Sequence, residues 1–409
     1  MRRIAMDRPI VEMDGDEMAR LMWQWVKERL INPFVELKTE YYDLGIKSRD
    51  ETEDAVTVRA AEAVKRLGVG VKCATITPDS ERVLEYGLKR EWRSPNATIR
   101  EMLDGTVFRC PVLVRRVPPA VKTWRRPIVV ARHAFGDVYS GVGVKVDEAG
   151  EAELVFRGAS GREVRARISR LEGPGVLQAY YNLDKSIESF ARSTFRYALE
   201  RRLDVWFAAK HTISKVYDAE FKRVFSEVYE REFRGAFEEA GLKYEYYLID
   251  DAYARAIRSE GGFVWAAKNY DGDVLSDMIA AAFSGSLAMM TSELMSPEGH
   301  YVAEAAHGTV RRHYYRYLRG ERPSTNPTAT ILAWARALER RGKLDGLEEL
   351  VEFSRLLEEA VLKTIDVDGI VTQDLARAAE PPISLVSTEE FIDATRSNLE
   401  ALLEKRLRL

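Results

Sequence analysis

Cysteine is scarce in this sequence, and long apolar runs are missing. The 409 residues include two cysteines, Cys73 and Cys110, which are too few for a disulfide framework or a thiolate zinc site. Both stand beside apolar residues, so we expect them in the core rather than at a reactive site. No apolar run is long enough to span a bilayer, and the start, MRRIAMDRPI, lacks the apolar core of a signal peptide. We therefore expect a reduced, cytoplasmic protein that does not bind membranes.

An excess of charge of one sign is also missing. Lysine and arginine number 62 and aspartate and glutamate 65, which gives a formal net charge of −3. Proteins that bind nucleic acid usually carry a basic field, so we expect no nucleic-acid partner, and any anion must be bound by a local cluster. The length predicts two or three domains with a substantial core.

Glycine-rich phosphate motifs are the third absence. No GxGxxG follows a strand-like segment and there is no P-loop, so a bound dinucleotide would need another architecture. The chain instead alternates apolar strand-like and amphipathic helix-like segments. Strands are predicted at 9–13, 35–44 and 69–74, and helices at 18–26 and 56–67. This order predicts an α/β fold with a largely parallel sheet covered by helices.

Residues 139–170 have a different texture. The segments VGVKVDEAGEAELVF and REVRARISR alternate apolar and polar residues around glycine turns, which is typical of hairpins exposed on one side. Within an α/β chain such a segment is usually an insertion and often an oligomer contact. Amphipathic helices resume at Asp184, a good N-cap residue, and the chain after Pro323 is predicted to be chiefly helical.

The stretch KNYDGDVLSD, residues 268–277, holds three carboxylates at a turn that is predicted to open a helix. Asp273 and Asp277 are four residues apart, so on a helix they share a face, where like charges repel. A hard divalent cation would remove this repulsion and prefers such oxygen ligands. A solvated acidic turn, with Asp271 or Asp273 as N-cap, explains the same residues. This stretch alone leaves both interpretations open.

Three arginines stand beside small or apolar residues. They are Arg100 in SPNATIR, Arg109 in GTVFR and Arg132 in ARHAFGDVY. Guanidinium groups bind carboxylates in a bidentate manner, so together they indicate a substrate with several carboxylates. Taken one at a time, each arginine is equally explained as an ion-pair residue.

Other chemistry-bearing residues follow predicted strands. KCATITPD, residues 72–79, offers hydroxyls and free amides at the carboxyl end of a strand, where α/β folds bind ligands, although a plain loop also fits. Lys210 follows the apolar VWFAA, and Asp250 closes YEYYLID. Each is either a functional group or a solvated residue at a strand end.

HGTVRRH, residues 307–313, suits a phosphate-bearing ligand. Its small residues let backbone amides approach closely, and Arg312 and His313 supply positive charge. An NAD site usually presents an acid to the ribose 2′-hydroxyl, whereas a 2′-phosphate needs cations. No acid lies in this loop, which favours NADP if a dinucleotide binds.

These segments together resemble one family. The ordered set VEMDGDEM, YYDLGI, GVGVKCATITPD, SPNATIR, GTVFR, RHAFGD, KHTISKVYD, LIDD, SEGGFVWAAKNYDGDVLSD, AEAAHGTVRRHY and STNP is similar to that of NADP-dependent isocitrate dehydrogenases. The likeness is to the homodimeric, eukaryotic-type subgroup of the β-decarboxylating dehydrogenases and covers nearly the whole chain. This family binds its nucleotide without GxGxxG. Two positions depart from its pattern: Ala97 replaces a glycine, and Arg258 stands where relatives carry lysine.

The resemblance implies an isopropylmalate/isocitrate dehydrogenase-like α/β fold. A large domain would comprise residues 1–103 and 284–409, and a small domain residues 104–136 and 184–283. Residues 137–183 would form an antiparallel clasp. The protein would be a homodimer with active sites shared between subunits.

The resemblance also implies roles for single residues. Isocitrate would be held by Thr77, Ser94, Asn96, Arg100, Arg109 and Arg132. Mg²⁺ or Mn²⁺ would be bound by Asp273 and Asp277, with Asp250 from the other subunit. NADP would be bound by Thr75, Ile76, Thr77, Arg82, Arg258, Gly308, Thr309, Val310, Arg311, Arg312, His313 and Asn326. Tyr139 and Lys210, the lysine again from the other subunit, would be the acid–base pair.

The implied reaction is the oxidative decarboxylation of isocitrate to 2-oxoglutarate and CO₂ with reduction of NADP. Two alternatives are the same chemistry on another 2-hydroxy acid, such as 3-isopropylmalate or homoisocitrate, and a non-catalytic nucleotide-binding regulatory subunit. Three arginines with Ser94 favour a tricarboxylate. No catalytic residue type is lost, which favours an enzyme.

Overall fold

The computed structural model describes residues 2–407. The chain forms two compact units. The first comprises the chain up to Ala134 and from Asp184 onwards, and the second is Phe135–Leu183. The division of the first unit into a large and a small domain stays a prediction. Among the described residues, no helix is both long enough and apolar enough to cross a bilayer.

The helices and strands alternate along most of the first unit. Strands β1 to β18 cover, in order, Ile4–Ala5, Ile10–Asp14, Val35–Glu36, Thr39–Asp43, Val69–Lys72, Thr106–Pro111, Ile128–His133, Val142–Val146, Gly150–Arg157, Glu163–Leu171, Gly175–Ala179, Asp204–Ala209, Tyr244–Leu248, Phe263–Ala267, Met290–Met295, Tyr301–Ala305, Ile370–Val371 and Ser384–Leu385. Helices α1 to α14 cover Glu17–Val26, Ile46–Glu51, Ala55–Leu67, Ser80–Tyr86, Pro95–Leu103, Asp184–Arg201, Tyr217–Val228, Arg234–Ala240, Ile249–Arg258, Asn269–Ser284, Arg311–Leu318, Thr328–Asp345, Glu348–Asp366 and Thr388–Leu407. The long helices α12, α13 and α14 confirm the helical prediction after Pro323.

A ten-stranded sheet runs through the first unit in the order β13-β12-β14-β7-β6-β15-β16-β5-β2-β4. The pairings of β6 with β7 and of β15 with β6 and β16 are antiparallel. All other pairings in this sheet are parallel. The prediction of a largely parallel sheet is therefore confirmed, with an antiparallel centre where two halves of the sheet meet.

Both faces of the sheet are buried, which explains its nearly continuous apolar strands. In β7, Val129 and Ala131 pack into one hydrophobic cluster with Phe207 and Val264, whereas Ile128 and Val130 pack into a second cluster. Side chains alternate between faces along a strand, so the two clusters lie on opposite faces. Cys73 is buried in the core, and burial raises the pKa of its thiol, as expected of an unreactive cysteine.

The second unit consists of two antiparallel ribbons. β9 pairs with β10 in a hairpin, and β8 pairs with β11. The prediction of hairpins is thus confirmed, but the prediction that one side is buried is wrong for a single chain. Val144 is 53%, Phe156 63% and Val176 79% exposed. These three apolar side chains are therefore not covered within one chain.

Helix α10 contains all three aspartates of the acidic stretch. It begins at Asn269, and Lys268 occupies the N-cap position. The interpretation of Asp271 or Asp273 as N-cap is therefore wrong, because the helix starts before them. Asp271 instead forms an ion pair with Lys268 across 3.2 Å in the first turn. This pairing assigns Asp271 a structural role.

Gly272 brings α10 close to β7. A Cβ atom at this position would lie 2.9 Å from the Cβ and 3.1 Å from the Cα of Arg132. Because backbone cannot move aside cheaply, the helix can lie this close to the strand only with glycine here.

We expect Gly272→Ala to lower the free energy of unfolding by about 1–3 kcal/mol, since the new methyl group overpacks the contact with β7. Urea denaturation followed by circular dichroism measures this change. Gly235→Ala in α8 is the matched control, because nothing lies within 4 Å of the added Cβ there. Equal stability of the two variants would contradict the close-packing argument.

Candidate active site

A row of polar side chains crosses the centre of the sheet. Glu304 on β16 is paired in register with Lys72 on β5 and with Ser292 on β15. Ser292 is in turn paired with Arg109 on β6. Directly paired residues present their side chains on the same face of a sheet. The register therefore places a base, an acid, a hydroxyl and a second base side by side.

Glu304 is the buried anion of this row. Arg100 Nη2 and Ser292 Oγ both donate to its Oε1 atom, at 3.0 and 2.8 Å. Burial raises the pKa of Glu304, but the charges of Arg100 and Lys72 outweigh it and bring the pKa to about 2. Burial lowers the pKa of Lys72 to about 8, although the negative charge of Glu304 acts to raise it. The carboxylate thus compensates the nearby cations in a site that largely excludes water.

Sequence reasoning missed Glu304, Ser292 and Lys72. The signal was a charged or hydroxyl residue inside an apolar strand, as in YVAEAA, where an unpaired charge would be costly. Such a residue indicates a buried partner, but the sequence does not say which.

The two predicted metal ligands on α10 each bind an arginine of the sheet. Arg132 on β7 donates to Asp273 and, through Nε, to Asn269 Oδ1 at 2.9 Å. Arg109 Nη1 donates to Asp277 Oδ1 and to Ser276 Oγ, both at 3.0 Å. The predicted substrate arginines on the central strands β6 and β7 and the predicted metal ligands on α10 thus lie together.

Helix α5 carries most of the SPNATIR residues. The hydrogen bond from Arg100 to Glu304 places this helix beside the polar row of the sheet. Ser94 occupies the N-cap position without a side-chain capping bond. The Oδ1 atom of Asn96 and the Nε atom of Arg109 are buried without a hydrogen-bond partner among the described residues. Buried polar atoms are seldom left unpaired, so these two groups fit a site that binds a polar ligand. Thr77 lies exposed in the loop after β5.

The donor set fits a hard divalent cation. Asp273 and Asp277 lie one helical turn apart, and their side chains are 36% and 57% exposed, so both carboxylates are accessible. Within residues 2–407 of one chain, no three carboxylate, imidazole or thiol groups come together to hold a metal ion. One chain therefore offers the two predicted ligands on α10 without a third such group beside them.

Lys210 and Asp250 form an ion pair with each other. Lys210 Nζ donates to Asp250, and this bond lowers the pKa of the carboxyl group. Asp218, which sequence reasoning missed, fixes the backbone beneath them: it accepts from Lys210 N and from Lys268 Nζ, each at 2.8 Å. Tyr139 lies in the second unit and is 50% exposed.

The predicted nucleotide residues after β5 are held by two acids of α1 and its N-cap. Asp16 accepts from Ile76 N at 2.9 Å, and Glu17 accepts from Arg82 Nη1 at 2.7 Å. Glu17 also accepts from the Thr309 hydroxyl. These contacts bring Arg82 beside the loop that begins at Gly308. Thr75 accepts from Lys72 Nζ at 3.1 Å.

The segment from Gly308 to His313, whose last three residues begin α11, carries backbone strain. Val310 has φ 58° and precedes the first residue of α11, and β-branched residues rarely adopt this conformation. Arg311 turns towards α4, where it pairs with Glu81 and Glu85 at 2.9 and 2.8 Å. Arg312 is exposed, and His313 Nδ1 lies 2.6 Å from Thr325 Oγ1.

A cavity of about 950 Å³ opens beside this loop. Val310, Arg312, His313 and Asn326 line it, so four of the predicted nucleotide residues face one space. Arg258 lies exposed in the last turn of α9.

We expect Glu304→Gln to lower the free energy of unfolding at neutral pH by about 3 kcal/mol, because Arg100 and Lys72 lose their buried counter-charge. The folded pKa of Glu304 lies below its usual value of 4.5, so its contribution is complete above pH 4.5 and falls as pH drops towards 2. The difference from wild type should therefore shrink below pH 4.5 in urea titrations. Glu81→Gln, which removes an exposed acid, is the control. A constant difference would contradict the ionised state of Glu304.

Comparison with known proteins identifies the family. Residues 6–395 match the isocitrate/isopropylmalate dehydrogenase family. An isocitrate dehydrogenase [NADP] of Sphingobium yanoikuyae is 49% identical over 99% of this chain and 100% of its own. Isocitrate dehydrogenase [NADP] 1 of Mycobacterium bovis is 50% identical over 97% and 98%.

A peroxisomal isocitrate dehydrogenase [NADP] of Candida tropicalis is 48% identical over 98% of both chains. These matches extend over the strands and helices that carry the arginines, the aspartates and the cavity beside residues 308–313, and they confirm the predicted fold. The chain belongs to the isocitrate/isopropylmalate dehydrogenase family.

Proposed function

We propose that this protein catalyses the oxidative decarboxylation of isocitrate to 2-oxoglutarate and CO₂ with reduction of NADP, dependent on Mg²⁺ or Mn²⁺. The observation that carries the proposal is the meeting of Arg109 and Arg132 with Asp277 and Asp273 beside Arg100, whose side chain is 12% exposed. Three guanidinium groups match a tricarboxylate, and two accessible carboxylates match a divalent cation. Similar chains are named isocitrate dehydrogenase [NADP].

Each group has a role in this reaction. Arg100, Arg109 and Arg132 bind and orient the substrate carboxylates, with Ser94, Asn96 and Thr77 as polar neighbours. Asp273 and Asp277, with Asp250 of a second subunit, would hold the metal. When bound, the metal supplies positive charge that stabilises the hydroxyl oxygen during oxidation and the enolate after loss of CO₂.

Lys210 and Tyr139 move the protons. Lys210 removes the proton of the substrate hydroxyl as hydride leaves for the nicotinamide, and Tyr139 returns a proton to the enol carbon. Asp218 keeps the Lys210 backbone in place through the bond to its N–H. Arg312 and His313 supply the cations that a 2′-phosphate needs, which favours NADP over NAD.

The proposed homodimer completes the site. Lys210 and Asp250 are 35% and 65% exposed and pair with each other within one chain, so a second subunit can receive both. The exposed apolar side chains of the ribbons in the second unit suit a contact between two copies.

We place the protein in the cytoplasm, which its two free cysteines support. Candida tropicalis relatives are named peroxisomal and mitochondrial.

In a spectrophotometric assay we expect reduced nicotinamide to accumulate with isocitrate, NADP and Mg²⁺, and EDTA to stop the reaction. Parallel reactions with 3-isopropylmalate and homoisocitrate should be slower at equal concentration, since they lack the third carboxylate or its spacing. Faster turnover of either acid would identify that acid, rather than isocitrate, as the substrate. No turnover of any acid with NADP or NAD would support the regulatory-subunit alternative.

We expect two inactive variants, Lys210→Gln and Asp273→Asn, to restore activity when they are co-expressed. In a mixed dimer, one site receives its lysine from one chain and its aspartate from the other. About a quarter of wild-type activity should return if subunits pair at random. Mixing Asp273→Asn with Asp277→Asn is the control, since no dimer of these two has an intact site. Absence of recovery in the first pair would show that each subunit holds a whole site.

A further inference from the structure

Glu17 joins three segments of the chain through one carboxylate. Arg82 on α4 donates from Nη1 to Oε1 at 2.7 Å and from Nη2 to Oε2 at 3.3 Å. Tyr86, one turn further along α4, donates to Oε1 at 3.1 Å, and the Thr309 hydroxyl donates to Oε2. Glu17 is the first residue of α1, so α1, α4 and the segment after β16 all meet at this side chain.

The ion pair is buried, and the backbone of Glu17 is strained. The Glu17 side chain is 1% exposed and the Arg82 side chain 13%. Glu17 has a φ of 54°, in the left-handed region that residues other than glycine adopt at a cost. Strained residues persist only where their surroundings determine them, and they concentrate at functional sites. A strained, buried acid with an arginine partner is therefore a candidate for a functional role.

Two of the partners of Glu17 are predicted nucleotide residues. A carboxylate that accepts from both Nη atoms fixes the plane of the Arg82 guanidinium group. Thr309 is held twice, since Ala19 N also donates to its carbonyl oxygen at 3.2 Å. Within residues 2–407, Glu17 is the residue whose side chain bonds to both Arg82 and Thr309. The placement of these two nucleotide residues relative to each other thus depends on one carboxylate.

We propose that Glu17 is a positioning residue: it orients Arg82 and fixes Thr309 so that both bind one coenzyme molecule. The proposal rests on the proposed function, because it takes the bound molecule to be NADP. Without the carboxylate, the coenzyme itself would have to order Arg82 and Thr309, and the cost of ordering them would lower its affinity. The opposite arrangement is a latch, in which Glu17 withholds Arg82 from the coenzyme and its loss strengthens binding.

The first test measures kcat and KM in Glu17→Gln, which keeps the size of the side chain and removes the charge that Arg82 binds. We expect KM for NADP to rise about tenfold or more, because a charged hydrogen bond is lost. The values of kcat and of KM for isocitrate, both at saturating NADP, should change less than about threefold.

Glu12→Gln is the matched control. The Glu12 side chain is also 1% exposed, and it accepts from Trp23 Nε1 at 3.0 Å and from Lys27 Nζ at 2.5 Å. Within the described chain it hydrogen-bonds to none of the predicted nucleotide residues. This variant should lower the midpoint of thermal unfolding and leave KM for NADP unchanged.

A second variant keeps the test decisive if Glu17→Gln does not fold. Tyr86→Phe removes one donor to Glu17 and keeps the ring, whose centroid lies 5.7 Å from the Arg82 guanidinium carbon. Calorimetric titration measures the Kd of NADP without turnover. We expect this Kd to rise about twofold or more in Tyr86→Phe and about tenfold or more in Glu17→Gln.

The Kd of Glu17→Gln decides where this variant folds, and that of Tyr86→Phe decides otherwise. An unchanged Kd in the deciding variant would overturn the proposal, and a lower Kd would overturn it in favour of the latch. An equal rise in Glu12→Gln would also overturn it, since the loss of any buried acid nearby would then weaken binding. If wild type neither binds NADP nor turns it over, the proposed function fails instead.

Discussion

Arg109 and Arg132 on the central strands and Arg100 on α5 carry charge where water is largely excluded. Arg132 has a side chain only 6% exposed, and Arg100 and Arg109 are 12% and 13% exposed. An unpaired charge in such a place is very costly, so the fold must supply anions of its own. The chain does so with Glu304 from β16 and with the two aspartates of α10. The close approach of that helix to β7 at Gly272 accompanies the contact of Asp273 with Arg132.

The three carboxylates differ in how readily a ligand can displace them from the arginines. Glu304 is buried, its carboxylate is bound by Arg100 and Ser292, and a ligand cannot displace it without leaving several groups unpaired. Asp273 and Asp277 are much more accessible on their open side. In the proposed reaction the substrate carboxylates take over the arginines while the aspartates turn to the metal. The same charges are then compensated in a new arrangement, so binding does not require a net charge to be buried.

Local apolar patterning predicted strands such as 9–13 and 69–74 and the long helices after Pro323, because neighbouring residues determine these. The grouping of the arginine and aspartate segments was implied by the resemblance to the family. The sequence did not predict Glu304 as the partner of Arg100, since that contact depends on which strands become neighbours in the sheet. Asp218 and Glu17 were missed for the same reason, since Asp218 binds Lys268 and Glu17 binds Arg82 and Thr309, all far away in the chain. The exposed ribbons were misjudged because alternation shows which face is apolar but not whether anything covers it.

Two adjacent arginines beside the 950 Å³ cavity show the same limit of prediction from sequence. The sequence RR at 311–312 offers two equivalent cations, yet successive residues on a helix point about 100° apart. Arg311 therefore reaches the acids of α4, whereas Arg312 lines the cavity. Arg377 comes to that cavity from beyond β17, in a segment that no motif distinguishes. Which arginine pairs with an acid and which lines the cavity is therefore determined by the folded chain and not by the local sequence.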